Sequence, residues 1–94
     1  MKNARVHVLI SGMVQGVCFR YETRRQAQAR GLNGWVRNRY DGKVEAVFEG
    51  PEEMVDDMVR WCHKGPAGAV VRSVEAKKGV YKGEFSNFNV SYSA

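Results

Sequence analysis

The chain has 94 residues, 44% hydrophobic and 27% charged, which excludes a wholly disordered polypeptide and predicts one folded domain over residues 1–94. Its net charge of +5 favours anionic partners, either phosphorylated small molecules or nucleic acid. No apolar run approaches the roughly 18 residues of a membrane helix and no signal peptide follows Met1, so we predict a cytoplasmic protein that does not bind a membrane.

The first predicted strand covers residues 4–11, where apolar side chains recur with a period of two. It leads into a loop with two glycines, Gly12 and Gly16, before a helix begins. A loop of this kind can turn successive backbone N–H groups towards one point, which attracts an anion. Arg20, at the junction of loop and helix, adds a planar set of donors that suits phosphate oxygens.

The helix is predicted over residues 19–30, a segment without glycine or proline. Phe19, Thr23 and Ala27 lie four positions apart and would form its buried face. Its later arginines are predicted on the solvent-exposed side, and these are Arg24, Arg25 and Arg30.

Two further strands are predicted at residues 32–38 and 43–49. Asp41 and Gly42 between them are typical of a tight hairpin turn, because both residues tolerate a positive φ. These strands should therefore pair antiparallel, with Asn38 at the end of the first.

A second helix is predicted between the Gly-Pro pairs at residues 50–51 and 65–66. Its apolar residues recur at helical spacing and predict a buried stripe of Met54, Val55, Met58, Val59 and Cys62. A fourth strand is predicted at residues 70–78. A turn-rich connection at residues 79–87 and a short terminal strand at residues 88–92 complete the chain.

The predicted order βαββαβ, with a short extra strand, is typical of a ferredoxin-like α+β sandwich. We expect an antiparallel sheet of four main strands plus the short terminal strand, with two helices on one face. The third strand would lie between the first two, so that their carboxyl ends share one edge of the sheet. Gly12 and Asn38 would then lie about 10 Å apart, which leaves room for a phosphate group and a water molecule.

Two segments carry a family resemblance. Residues 12–20 read G-M-V-Q-G-V-C-F-R, and residues 34–46 read G-W-V-R-N-R-Y-D-G-K-V-E-A. They resemble the two signatures of the acylphosphatase family, in the right order and with a compatible helix between them. The resemblance implies hydrolysis of the carboxyl–phosphate bond of acyl phosphates to a carboxylate and inorganic phosphate, without a metal, another cofactor or a covalent intermediate.

The resemblance also implies roles for individual residues. Arg20 matches the family's phosphate-binding arginine, and Asn38 matches the asparagine that orients the attacking water. The backbone amides of the loop would complete the phosphate cradle, and they belong to Gln15, Gly16, Val17, Cys18 and Phe19. Arg39 and Tyr40 occupy variable positions, and the motifs leave open their effect on substrate preference.

Cys18 and Cys62 are predicted to be free thiols, with a single disulfide as the alternative. His7 and His63 show no ligand spacing to either cysteine, so we predict no metal site. Cys18 lies inside the loop, but no convincing partner base accompanies it, which disfavours a role as a nucleophile.

Two other functions stay open. RNA-recognition domains share the strand order and the basic charge, but their third strand carries an aromatic-rich motif, whereas residues 44–49 here read V-E-A-V-F-E. Nucleic acid is therefore not the expected partner. Similar domains also occur at the N-terminus of large hydrogenase-maturation proteins, which makes a carbamoyl-phosphate-handling domain the second alternative. We expect a stand-alone, monomeric enzyme, because the chain ends at Ala94 without a transferase region.

Overall fold

Two helices and five strands make up the computed structural model, which describes residues 2–92. The strands are β1 (Asn3–Met13), β2 (Asn33–Asn38), β3 (Val44–Pro51), β4 (Val70–Gly79) and β5 (Phe88–Val90). The helices are α1 (Phe19–Ala29) and α2 (Glu52–Lys64). Each predicted element is present, and the order of helices and strands along the chain is confirmed.

The strands form one sheet in the order β4-β1-β3-β2-β5. β3 lies between β1 and β2 and is antiparallel to both, as the split βαβ arrangement predicts. β4 pairs antiparallel with the other side of β1, whereas β5 pairs parallel with β2. The four main strands are thus antiparallel as predicted, and the terminal strand makes the complete sheet mixed. This is the ferredoxin-like α+β fold.

One hydrophobic core fills the space between the sheet and the two helices. The helices contact each other as well as the sheet, so both lie on the same sheet face. The sequence periodicity identified most of this core, although Met54 and Val59 of the predicted α2 stripe are only partly buried and pack against it. Its buried residues include Val6, Val8 and Ile10 from β1, Phe19, Thr23 and Ala27 from α1, and Val55, Met58 and Cys62 from α2.

Gly12 lies within β1 rather than in the loop that follows. The strand continues to Met13, and its register with β4 shifts between Ser11 and Gly12. A Cβ atom at Gly12 would lie 2.1 Å from the carbonyl oxygen of Val70, and the residue has a φ of +132°. Gly12 therefore permits close backbone approach between two strands, and the loop before α1 begins after Met13.

The helical pattern predicted Arg30 on the solvent-exposed side of α1, but the structure places it elsewhere. Its Nε donates to Oδ2 of Asp57 at 2.7 Å, and only 19% of the Arg30 side chain is exposed. This ion pair connects the end of α1 to α2. The prediction failed because a helical periodicity contains no information about a second helix on the same face of the sheet.

The sheet face opposite the helices carries a layer of ion pairs around β3. Glu45 lies there with His7 Nε2 at 2.6 Å and Arg37 Nε at 2.8 Å from its carboxylate oxygens. Burial raises the pKa of Glu45, but the hydrogen bonds and charges of His7 and Arg37 outweigh it and hold the pKa below its ordinary value.

The connection between β4 and β5 crosses this same face. The guanidinium of Arg5 lies 5.4 Å from the ring centre of Phe85, and the Lys82 N–H donates to Oε2 of Glu49 at 2.9 Å. Arg5 donates to the same carboxylate oxygen at 3.0 Å. Glu49 is only 2% exposed, so its carboxylate is held between the sheet and the connection.

No helix within residues 2–92 is long and apolar enough to cross a membrane. Both cysteines are free thiols, Cys18 exposed and Cys62 buried. Burial raises the pKa of the Cys62 thiol to about 12.

The carboxylate of Glu49 makes stability depend on pH. Burial raises the pKa of Glu49, but the Lys82 N–H and Arg5 outweigh burial and lower it from its ordinary value of 4.5. A lowered pKa stabilises the fold above pH 4.5, and this stabilisation is lost as the pH falls through the folded-state pKa. We predict that Glu49→Gln lowers the free energy of unfolding by about 1–3 kcal/mol at pH 7.

The difference in the free energy of unfolding between Glu49→Gln and the native protein should shrink towards pH 3. Urea unfolding across the pH range measures it. Glu53→Gln is the matched control, because Glu53 is exposed and forms no ion pair within residues 2–92. A constant difference between native and Glu49→Gln at all pH values would contradict the prediction.

Candidate active site

A pocket of about 460 Å³ lies where the loop after β1, the start of α1 and the end of β2 meet. Five of the predicted site residues line it, namely Gly16, Cys18, Phe19, Arg20 and Asn38. Four other residues complete the lining: Val14, Tyr21, Arg24 and Val90. Segments that are separate in the sequence thus converge on one pocket.

The loop backbone has an alternating handedness around the pocket. Gly16 has a φ of +75° and Cys18 a φ of +59°, whereas Val17 between them does not have a positive φ. Such alternation turns successive N–H groups to the same side, which is the backbone geometry that suits an anion. Cys18 is strained in this left-handed conformation, because it carries a side chain. The strain lies at the pocket, where tight backbone curvature is needed.

The first turn of α1 faces the same pocket without a cap. Cys18 at the N-cap position makes no side-chain capping bond, and its carbonyl oxygen accepts the Glu22 N–H at 3.0 Å. The N–H groups before Glu22 in the helix therefore have no intrahelical acceptor and are available to an anion.

Phe19 fixes the start of α1 in the core. Its ring is buried and meets the ring of Trp61 edge-on, with the ring centres 5.6 Å apart. The hydroxyl of Thr23 donates to the carbonyl oxygen of Phe19 at 2.7 Å. The backbone at the pocket is thus held by buried contacts.

Gln15 and Val17 do not line the pocket. Val17 packs against the hydrophobic core, and Gln15 extends its side chain to the β2–β3 hairpin. There the Gln15 amide donates to the carbonyl oxygens of Arg39 and Lys43, at 2.8 and 3.0 Å. These two hydrogen bonds join the loop to the hairpin that carries Asn38. This side-chain contact was not expected from the motif, which suggested only a backbone role for Gln15.

Two guanidinium groups line the pocket, from Arg20 and Arg24. Among residues 2–92, neither forms an ion pair, and no acidic residue lines the pocket. Arg24, which was predicted on the solvent-exposed side of the helix, is half-buried and lines this pocket. The sequence did indicate this position, because Arg24 follows Arg20 by four residues and residues four apart lie on the same helix face. Unneutralised positive charge makes the pocket suitable for an anion.

Asn38 is the last residue of β2, opposite Val44 of β3. Its side chain makes no hydrogen bond to another residue of the described part of the chain, which leaves one acceptor and two donors for ligand or water. Its neighbours Arg39 and Tyr40 lie outside the pocket lining. Arg39 pairs with Asp41, and Tyr40 is 86% exposed.

A ferredoxin-like fold with this arginine-lined pocket defines a class of small α+β proteins suited to phosphorylated ligands. The acylphosphatase family model matches residues 6–90. The chain therefore belongs to the acylphosphatase family.

Individual relatives agree with this assignment. The acylphosphatase of Pelotomaculum thermopropionicum is 55% identical over 92 residues, covering 98% of this chain and 100% of the relative. The structure of an acylphosphatase from Coxiella burnetii aligns with a TM-score of 0.90 at 36% identity, covering 95% of this chain and 93% of that one. The acylphosphatase of Bacillus subtilis aligns with a TM-score of 0.91 at 32% identity, covering 95% and 99%.

Gln15 provides a test of the connection between loop and hairpin. We predict that Gln15→Ala lowers the turnover of benzoyl phosphate several-fold, because Asn38 loses part of its support. The free energy of unfolding should fall by no more than about 1 kcal/mol, since the lost hydrogen bonds are exposed. Steady-state kinetics and urea unfolding measure the two effects. Gln28→Ala, an exposed glutamine of α1, is the control, and equal turnover in the two variants would contradict the prediction.

Proposed function

We propose that the pocket hydrolyses acyl phosphates without a metal, with Arg20 and the loop amides binding the phosphoryl group and Asn38 orienting the attacking water. The observation that carries this proposal is that Arg20 and Asn38, one from each signature segment, line the same pocket. The cradle amides proposed for this role are those of Gln15, Gly16, Val17, Cys18 and Phe19.

The chemistry of the substrate suits such a site. An acyl phosphate already has a weakly basic carboxylate as its leaving group, so it needs little help from a general acid. Charge stabilisation and placement of the water then supply most of the catalysis. The guanidinium of Arg20 offers two parallel hydrogen bonds to phosphate oxygens, and the loop amides add dipoles that are already oriented.

Asn38 holds the water but cannot remove its proton, since an amide is not a base. In the proposed reaction the water oxygen attacks phosphorus and the bond between phosphorus and the carboxyl oxygen breaks. The carboxylate leaves with the bonding electron pair, and one water proton moves to a phosphate oxygen. The products are a carboxylate and inorganic phosphate.

A covalent route through Cys18 has less support. A thiol nucleophile needs a nearby base or another means of activation. Within the described part of the chain, the pocket lining includes no histidine and no carboxylate. We therefore propose direct attack by water.

The nucleic-acid alternative is also weakened by the sheet. RNA-recognition domains stack bases on aromatic residues of an open sheet face. Here the face opposite the helices holds the buried carboxylates of Glu45 and Glu49 and is crossed by the connection that contains Phe85. This observation supports a small-molecule substrate over a nucleic acid.

We propose that the enzyme works as a monomeric single domain in the cytoplasm. The proposed site residues come from one chain and share one hydrophobic core and one sheet. The two free thiols are consistent with a reducing compartment.

The division of labour between Arg20 and Asn38 can be tested by substitution. We expect Asn38→Ala to lower turnover of benzoyl phosphate on the order of a hundredfold or more while retaining affinity for inorganic phosphate. Arg20→Gln should lose that affinity as well as activity, because it removes the charged phosphate ligand. Turnover is measured by steady-state kinetics and phosphate binding by calorimetry.

Matched controls exist for both substitutions. Arg25→Gln removes an exposed arginine from the same helix, and Asn89→Ala removes an exposed asparagine from β5. Full activity in Arg20→Gln or Asn38→Ala would refute the role of that residue. Equal phosphate affinities in the two variants would refute the division of labour.

Independence from metal is tested separately with a chelator. We predict that prolonged treatment with EDTA, followed by assay in metal-free buffer, leaves the rate of benzoyl phosphate hydrolysis unchanged. Loss of activity that is restored by a divalent cation would overturn the metal-free mechanism without affecting the family assignment.

A further inference from the structure

We propose that Arg24 binds a second anionic group, carried by the acyl part of the substrate, at a subsite next to the phosphate cradle. This inference rests on the proposed function of the pocket and extends it to substrate preference. Arg24 thus becomes a residue that selects among acyl phosphates.

The first observation is the state of the Arg24 side chain. Its Nε atom is shielded from solvent and has no hydrogen-bond partner in the part of the chain that the structure describes. A buried donor without an acceptor costs free energy, so such atoms are rare unless a ligand or water completes them. Arg24 also lines the pocket, so other atoms of this side chain are open to a ligand even though Nε is shielded.

The neighbouring arginine makes the contrast clear. Arg25 is exposed and donates to Glu22 at 2.7 Å, so its charge is already paired. Arg24 has no ion-pair partner within residues 2–92. Of these two adjacent arginines, Arg24 is the one in the pocket lining and the one whose charge is unneutralised.

The spacing along α1 indicates which part of the ligand Arg24 meets. Arg24 follows Arg20 by four residues, so their Cα atoms differ by about 6 Å along the helix axis. With Arg20 on the phosphate, Arg24 is placed to meet a group several bonds away from phosphorus. A carboxylate or second phosphate on the acyl part has both the charge and the distance for this contact.

Apolar residues occupy the remaining pocket lining. Val14 and Val90 line the pocket, and the ring centre of Tyr21 lies 5.8 Å from the Arg24 guanidinium. The aromatic face favours a cation above it and restricts the movement of the guanidinium. The matching substrate is an acyl phosphate with a short apolar body and an anionic group at its far end.

The test compares substrates that differ only in that anionic group. Benzoyl phosphate is compared with 3-carboxybenzoyl and 4-carboxybenzoyl phosphate, and the readout is the ratio of kcat/KM for carboxylated over plain substrate. We expect Arg24→Gln to lower the larger of the two ratios at least tenfold, mainly through KM. Arg25→Gln should leave each ratio within twofold of the native value.

Two outcomes would overturn the inference. An unchanged ratio in Arg24→Gln would show that Arg24 does not contact the acyl end. An equal fall in both arginine variants would indicate the general field of the helix rather than a contact. If the ratio is unchanged because plain and carboxylated substrates lose activity equally, Arg24 acts on the phosphate instead.

A binding measurement separates this inference from the proposed reaction. Calorimetry with benzylphosphonate and its 3- and 4-carboxy derivatives requires no turnover. If the native protein hydrolyses none of the three substrates but prefers a carboxylated phosphonate through Arg24, the proposed function fails and the anion subsite stands. If the native protein hydrolyses the substrates but Arg24→Gln changes no preference, the proposed function stands and the anion subsite fails.

Discussion

The pairing of β3 between β1 and β2 is the constraint on which the site depends. Because both neighbours run antiparallel to β3, they run parallel to each other and end at the same edge of the sheet. One end continues into the loop and α1, and the other carries Asn38. The side chain of Gln15 then bridges the two ends. A site of two separate signatures exists because the sheet brings them together.

The sheet face opposite the helices is occupied by buried, paired charges. Glu45 and Glu49 lie in the central strand, and both carboxylates are held by basic partners from neighbouring segments. A buried carboxylate deprived of such partners would be strongly destabilising, so the connection that covers Glu49 is bound to the sheet. RNA-recognition domains stack bases on the corresponding sheet face, and in this protein that face is covered.

In the pocket, by contrast, the charges are not paired within residues 2–92. Arg20 and Arg24 face it on the same side of α1, four residues apart, and like charges at that spacing repel. The strained backbone of Cys18 adds to this cost. An anion in the pocket reduces the repulsion between the two arginines, so we expect ligand to stabilise the fold. In the absence of ligand, the stability of the hydrophobic core, including buried Phe19, offsets the repulsion and the strain at the pocket.

The sequence alone determined the helices and strands, the core faces and the family. Hydrophobic periodicity is a local property, and the two signatures single out Arg20 and Asn38 as candidates, which the structure brings to one pocket. Tertiary structure alone decided three placements. Gly12 belongs to a strand because Val70 approaches its backbone, Arg30 is paired because α2 lies beside α1, and Arg24 lines the pocket because β2 and β5 complete its walls. The first two depend on a neighbour distant in the chain, which no local pattern encodes. For Arg24, the four-residue spacing from Arg20 already indicated the helix face, but not the walls that β2 and β5 add to the pocket.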